Sequence, residues 1–87
     1  MKAIDIKTET GNEILDVLVK TKGWRIQSQY DAIAFDKGID FDSYTLEKNG
    51  MELYFEWTNW FEWEISGDPV TIQKLSQDFS FELKVGQ

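Results

Sequence analysis

Five glutamates, Glu47, Glu52, Glu56, Glu62 and Glu64, are set among aromatic residues in the segment 44–66. Carboxylates at that density could do acid–base work, hold a cation, or meet a basic protein. Acid–base work by a pair such as Glu56 and Glu62 needs one carboxyl with a raised pKa and a site closed to water. A flat exposed surface offers neither. The chain has no His and no Cys, so the commonest general base and the strongest nucleophile are both missing. No phosphate-cradling glycine motif is present. The expectation is therefore a protein that is not an enzyme, with no catalytic residues and no cofactor.

A cation could be sought at Asp36-Lys37-Gly38-Ile39-Asp40-Phe41-Asp42, where acids alternate around a glycine. Calcium loops need several hard oxygens in a short span, but the D-x-[DN]-x-[DN]-G order and the following bidentate Glu are lacking. Without cysteine a thiolate site is impossible, and side chains splayed over a sheet converge poorly, so no metal ligand is assigned. The remaining option is a contact surface. Its candidate residues are Glu47, Glu52, Tyr54, Glu56, Trp60, Glu62 and Glu64, with the 31–42 segment at its edge.

The elements that would position these residues can be read from turn chemistry. Asn49-Gly50 is a strong two-residue hairpin signal, because both residues tolerate positive φ. It pairs Lys48 with Met51, Glu47 with Glu52, Leu46 with Leu53, Thr45 with Tyr54 and Tyr44 with Phe55. The next hairpin keeps its faces consistent with a Thr58-Asn59-Trp60 loop, which sets Trp57 against Phe61, Phe55 against Trp63 and Leu53 against Ile65. A two-residue loop would put Phe55 opposite Glu62. One face then carries Tyr44, Leu46, Leu53, Phe55, Trp57, Phe61, Trp63 and Ile65. The other carries the five glutamates around Tyr54, with like charges opposed at Glu47/Glu52 and Glu56/Glu62, an arrangement that weakens a sheet. Trp60, at the hairpin tip, either folds back over the edge or stands out as an anchor.

Elsewhere, Met1–Thr8 alternates Ile4 and Ile6 with Asp5 and Lys7 as a half-buried strand. Thr10-Gly11-Asn12-Glu13 has the form of a capping box for a helix over about 11–22, with Gly23 at its end. Trp24, Ile26 and Ser28 alternate as a second strand. Residues 30–42 read as an irregular hairpin or a loop pinned by Ile33, Phe35, Ile39 and Phe41. Asp68-Pro69 starts a helix over about 69–78 whose stripe is Ile72, Leu75 and Phe79. Ser80–Val85 closes as a strand with Phe81, Leu83 and Val85 inward.

The order β-α-β-β-β-β-α-β over residues 1–87 predicts a single α+β domain. Its expected form is a two-layer sandwich, a mostly antiparallel sheet of about five or six strands with two helices on one face. A ferredoxin-like core with an added hairpin fits the same string.

Composition sharpens the reading. The formal charge is −7, and residues 31–68 hold ten acids against Lys37 and Lys48, a net of −8, while the rest sum to +1. Such a field opposes direct nucleic-acid binding, which depends on Lys and Arg, and favours a basic protein partner. No stretch is long and apolar enough for a membrane span, and the absence of cysteine leans towards the cytoplasm.

In size, charge and open acidic sheet, the chain looks like the small acidic α+β proteins that neutralise another macromolecule, such as immunity proteins of bacterial toxin systems and phage-encoded inhibitors. That likeness involves no motif and transfers no residues. It implies a binding protein that occupies a basic surface on a nuclease or other nucleic-acid-handling protein. The alternatives are a structural or self-associating domain whose acidic face is only solvated, and a small-ligand or cation-binding module using the 31–42 segment.

Overall fold

The computed structural model describes residues 1–29 and 41–86. Its elements are β1 (Lys2–Ile6), α1 (Thr8–Lys20), β2 (Arg25–Gln29), β3 (Phe41–Lys48), β4 (Met51–Thr58), β5 (Glu62–Gly67), α2 (Pro69–Asp78) and β6 (Lys84–Val85). They follow the expected order. The strands form one antiparallel sheet, β2-β3-β4-β5-β1-β6, and both helices cover the same face. The other alternative also describes part of it: α2 joins β5 to β6 across β1, giving β6-β1-β5-β4 the split β-α-β arrangement of a ferredoxin-like core, with β2 and β3 added at the β4 edge. Of the 30–42 segment, Phe41 and Asp42 open β3 opposite Thr58 and Trp57. Ile33, Phe35, Ile39 and most of the acidic Asp36–Asp42 motif lie outside the described residues.

The first hairpin has the register read from its turn, with every pair from Lys48↔Met51 to Tyr44↔Phe55 in place and φ of 53° at Asn49 and 80° at Gly50. The second is displaced by two residues. Its turn is Asn59-Trp60-Phe61, and the pairs are Thr58↔Glu62, Trp57↔Trp63, Phe55↔Ile65 and Leu53↔Gly67. Glu62 adopts φ 57°, and Thr58 Oγ1 accepts the Phe61 N–H at 3.1 Å, so the turn closes one residue later than expected. Gly67 also suits this register, because a Cβ there would lie 2.6 Å from Leu53 Cδ2. A two-residue slip preserves faces. Leu53, Phe55, Trp63 and Ile65 are buried as anticipated, and Trp57 is half-buried. Phe61 is the exception: it moves from the expected core to the tip.

The core joins these strands to Ala3, Ile6, Ile14, Leu18, Trp24, Leu46, Ile72 and Leu75. Trp63 is central. It meets Phe55 edge-on at 6.0 Å between ring centroids, and its indole donates to Asn12 Oδ1 at 3.0 Å. Gly11 lets α1 sit directly on that ring, since a Cβ at position 11 would come within 2.1 Å of Trp63 Cδ1. The helix starts three residues earlier than the Thr10 capping box implied, so that Thr10 lies inside the first turn and Lys7 supplies no side-chain cap. α2 starts as read, with Asp68 Oδ2 accepting the Thr71 N–H at 3.1 Å and Pro69 at the first position.

The edges depart from simple alternation. A bulge at Asp5, with φ 60°, puts Ala3 and Ile6 in the core and Ile4 on the opposite face. Ile26 is 46% exposed because β2 is an edge strand with its own bulge before Ser28. Ser80, at φ 55°, turns the chain after α2, so that of the expected Ser80–Val85 strand Lys84 and Val85 pair with β1, and the Gly86 N–H donates to the Lys2 carbonyl beyond them. Phe81 and Leu83 still pack against the core, whereas Val85 is exposed.

Candidate protein-docking surface

Alternation along β3, β4 and β5 places Glu47, Glu52, Tyr54, Glu56 and Glu64 on the face opposite the helices. The flanking strands bring cations to it that lie far away in sequence. Arg25 on β2 stands opposite Glu47 and donates from Nη2 to Oε1 at 2.7 Å. Glu47 also receives the Gly50 N–H at 3.1 Å. The Arg25 hydrogen bond first, and that backbone bond next, hold the Glu47 carboxyl below the ordinary glutamate range. On the other side, Lys2 of β1 reaches Glu64 at 3.2 Å. The face that the sequence gives as glutamates around Tyr54 is therefore flanked by cations, one delivered to each side by the topology.

The like-charge pairs change accordingly. Glu47↔Glu52 is present and Arg25 relieves it, while Glu56 stands opposite Glu64, not Glu62, and Lys2 relieves that pair. Glu62 does different work. Its Oε2 accepts the Thr8 N–H at 2.8 Å, so a carboxylate from β5 caps the positive end of α1. The capping residue that the local sequence failed to supply comes from more than fifty positions away.

What remains is a row along β4: Glu52, Tyr54 and Glu56. The two carboxylates stand roughly 13 Å apart by strand rise. Neither has an ion pair among the described residues. Tyr54 is exposed, and its cross-strand neighbours are the short Thr45 and Ser66.

The β4–β5 turn adds the second component. Trp60 is 74% exposed and Phe61 59%. They rest on a fixed base. Thr8 donates its N–H to Glu62, and its Oγ1 accepts the Trp57 indole N–H at 2.9 Å, so both strands of the hairpin are fastened to the β1–α1 junction. Trp60 thus protrudes from the tip and does not fold back over the hairpin edge. Phe61 was missed as a surface residue, and Gly67 opposite Leu53 was the signal that could have set the register.

Chemically the surface offers carboxylates, a phenol and two aromatic faces. Among the described residues no three acidic side chains converge to hold a metal ion, and no helix is long and apolar enough to cross a membrane. No family model matches the chain, and no curated protein or solved structure matches it either.

Proposed function

We propose that this chain is a non-enzymatic binding protein that occupies a basic surface of another protein, and that the partner is a nuclease or other nucleic-acid-handling protein which it inhibits in the cytoplasm. The observation that carries this reading is the β4 row of Glu52, Tyr54 and Glu56. It lacks counter-ions among the described residues, although the sheet pairs the glutamates on either side of it. Glu47 and Glu64 border the row, and Trp60 and Phe61 lie at its β5 end as apolar anchors of the type that dominates protein interfaces. Glu62 supports the contact indirectly, by fixing the tip to α1. The overall charge of −7 steers a basic partner towards the protein and opposes nucleic acid itself.

The test is a titration against the partner recovered by pull-down from the native host. Glu52→Lys with Glu56→Lys should abolish binding and leave the fold intact, acting mainly on the association rate and its salt dependence. Trp60→Ala should raise the dissociation rate. Reversals on α1, Glu13→Lys or Asp16→Lys, should matter far less. Binding that survives the β4 reversal and fails with the α1 changes refutes this surface.

A second reading, a self-associating domain with a solvated face, draws on the Lys2–Glu64 and Arg25–Glu47 pairs, since an interspersed surface needs no partner. Concentration-dependent sedimentation of the isolated protein would favour it.

A further inference from the structure

At the opposite end of β4 from the aromatic tip, the C-terminal end of α1, the α2 helix and the Asn49–Gly50 hairpin enclose a groove of about 340 Å³. Leu18, Trp24 and Leu75 are buried beneath it, and Met51, Val70 and Phe79 form its walls. Met51 is 43% and Val70 73% exposed, so apolar surface lies open to water on both sides. Three lysines surround it, Lys22 from the end of α1, Lys48 from β3 and Lys74 from α2, against a single carboxylate, Asp78. Among the described residues none of the three lysines has an ion pair, and away from the groove only Lys7 shares that state, whereas Lys2, Lys20, Arg25 and Lys84 are all paired. In a protein of net charge −7, unpaired cations gather around its apolar groove.

We propose that this groove binds a small anionic amphiphile, a single carboxylate on a short apolar body. The apolar part would lie over Trp24 between Met51 and Val70, and the carboxylate would meet Lys22 and Lys74. Volume selects a small molecule over a peptide helix, because 340 Å³ falls at the lower end of ligand-sized cavities. Charge selects the sign of its head group. The Lys48 Nζ donates to the Lys22 carbonyl at 2.5 Å, fastening the hairpin to the end of α1 at the rim of the groove. This site is separate from the docking face and does not depend on it.

The experiment is an NMR titration of the ¹⁵N-labelled protein with sodium octanoate, and with octanol and octylammonium as neutral and cationic counterparts. Octanoate should give saturable shifts confined to Trp24, Met51, Val70, Lys74 and their neighbours, and should bind more tightly than either counterpart. Lys22→Glu with Lys74→Glu, both exposed side chains without structural bonds, should weaken octanoate roughly tenfold and leave octanol unchanged. Val70→Glu should abolish binding of both. Octanol binding as tightly as octanoate, octanoate shifts centred on the β4 face, or groove shifts that track protein concentration without ligand would each overturn the proposal. The last would show a second copy in the groove.

Discussion

β4 leaves the Asn49–Gly50 turn at one end and enters the Asn59–Phe61 turn at the other, and the two ends are held by different kinds of bond. At the first, two residues with positive φ specify the turn by themselves, and the pairs that follow are those the turn dictates. At the second, closure depends on Thr58, on Glu62 in a left-handed conformation, and on Thr8 from another part of the chain. A turn fixed by local stereochemistry is readable from its own letters. One fixed by a distant helix end is not. The second is also the turn that displays Trp60 and Phe61.

The largest expected effect tests how far the second hairpin relies on α1. Trp63→Ala removes the ring beneath Gly11 and the bond to Asn12, and should cost roughly 3–5 kcal/mol in chemical denaturation. The Asn49–Gly50 hairpin should keep its cross-strand contacts in whatever folded population remains. A melting temperature equal to the parent's would show that the helix–strand contact is not what holds this end.

Gly50→Ala challenges the local end. With φ at 80°, a Cβ meets no neighbour but imposes left-handed strain, so a loss of about 1–2 kcal/mol is expected from backbone conformation alone. Glu62→Ala challenges the non-local end and should cost about 0.5–2 kcal/mol, the range for losing a helix cap. Its signature is faster amide exchange in the first turn of α1, and Glu52→Ala should not produce it. If both glutamate variants behaved alike, the distinction between a capping and a surface carboxylate would fail.

Smaller effects sharpen the contrast. Phe61→Ser should change stability by no more than about 0.5 kcal/mol, as for any exposed position without partners. Several kcal/mol would restore the register that buries it. Glu47→Gln should show in the pH profile. Because Arg25 and the Gly50 N–H lower the folded-state pKa, the Glu47 contribution is present above the unfolded-chain value and is lost as pH falls through the folded one. The melting-temperature gap between parent and variant should therefore close on acidification below the ordinary carboxylate range.

The order of elements along the chain, the helix-bearing face and most of the core were legible because Leu53, Phe55, Trp63 and Ile65 carry a strict period of two, and the α2 start is written in Asp68-Pro69. The Asp5 bulge was not legible, since nothing in Ile4-Asp5-Ile6 separates an extra residue from plain alternation. The start of α1 was misplaced because Thr10 satisfies a capping pattern that Glu62 makes unnecessary. The open face was readable as acidic but not as flanked by cations. Lys2 and Arg25 reach it only because β1 and β2 lie far from the meander in sequence and next to it in the sheet.

The attachment at Thr8 has a consequence for how such a protein can diversify. The bonds that close the tip use Thr58, Glu62, Thr8 and Trp57, and the Trp60 side chain and the Phe61 ring take no part in them. Asn59, Trp60 and Phe61 can therefore be rewritten while the frame beneath them stays constant. Selection, or a designer, could change what the tip recognises by altering three adjacent codons without re-optimising the fold.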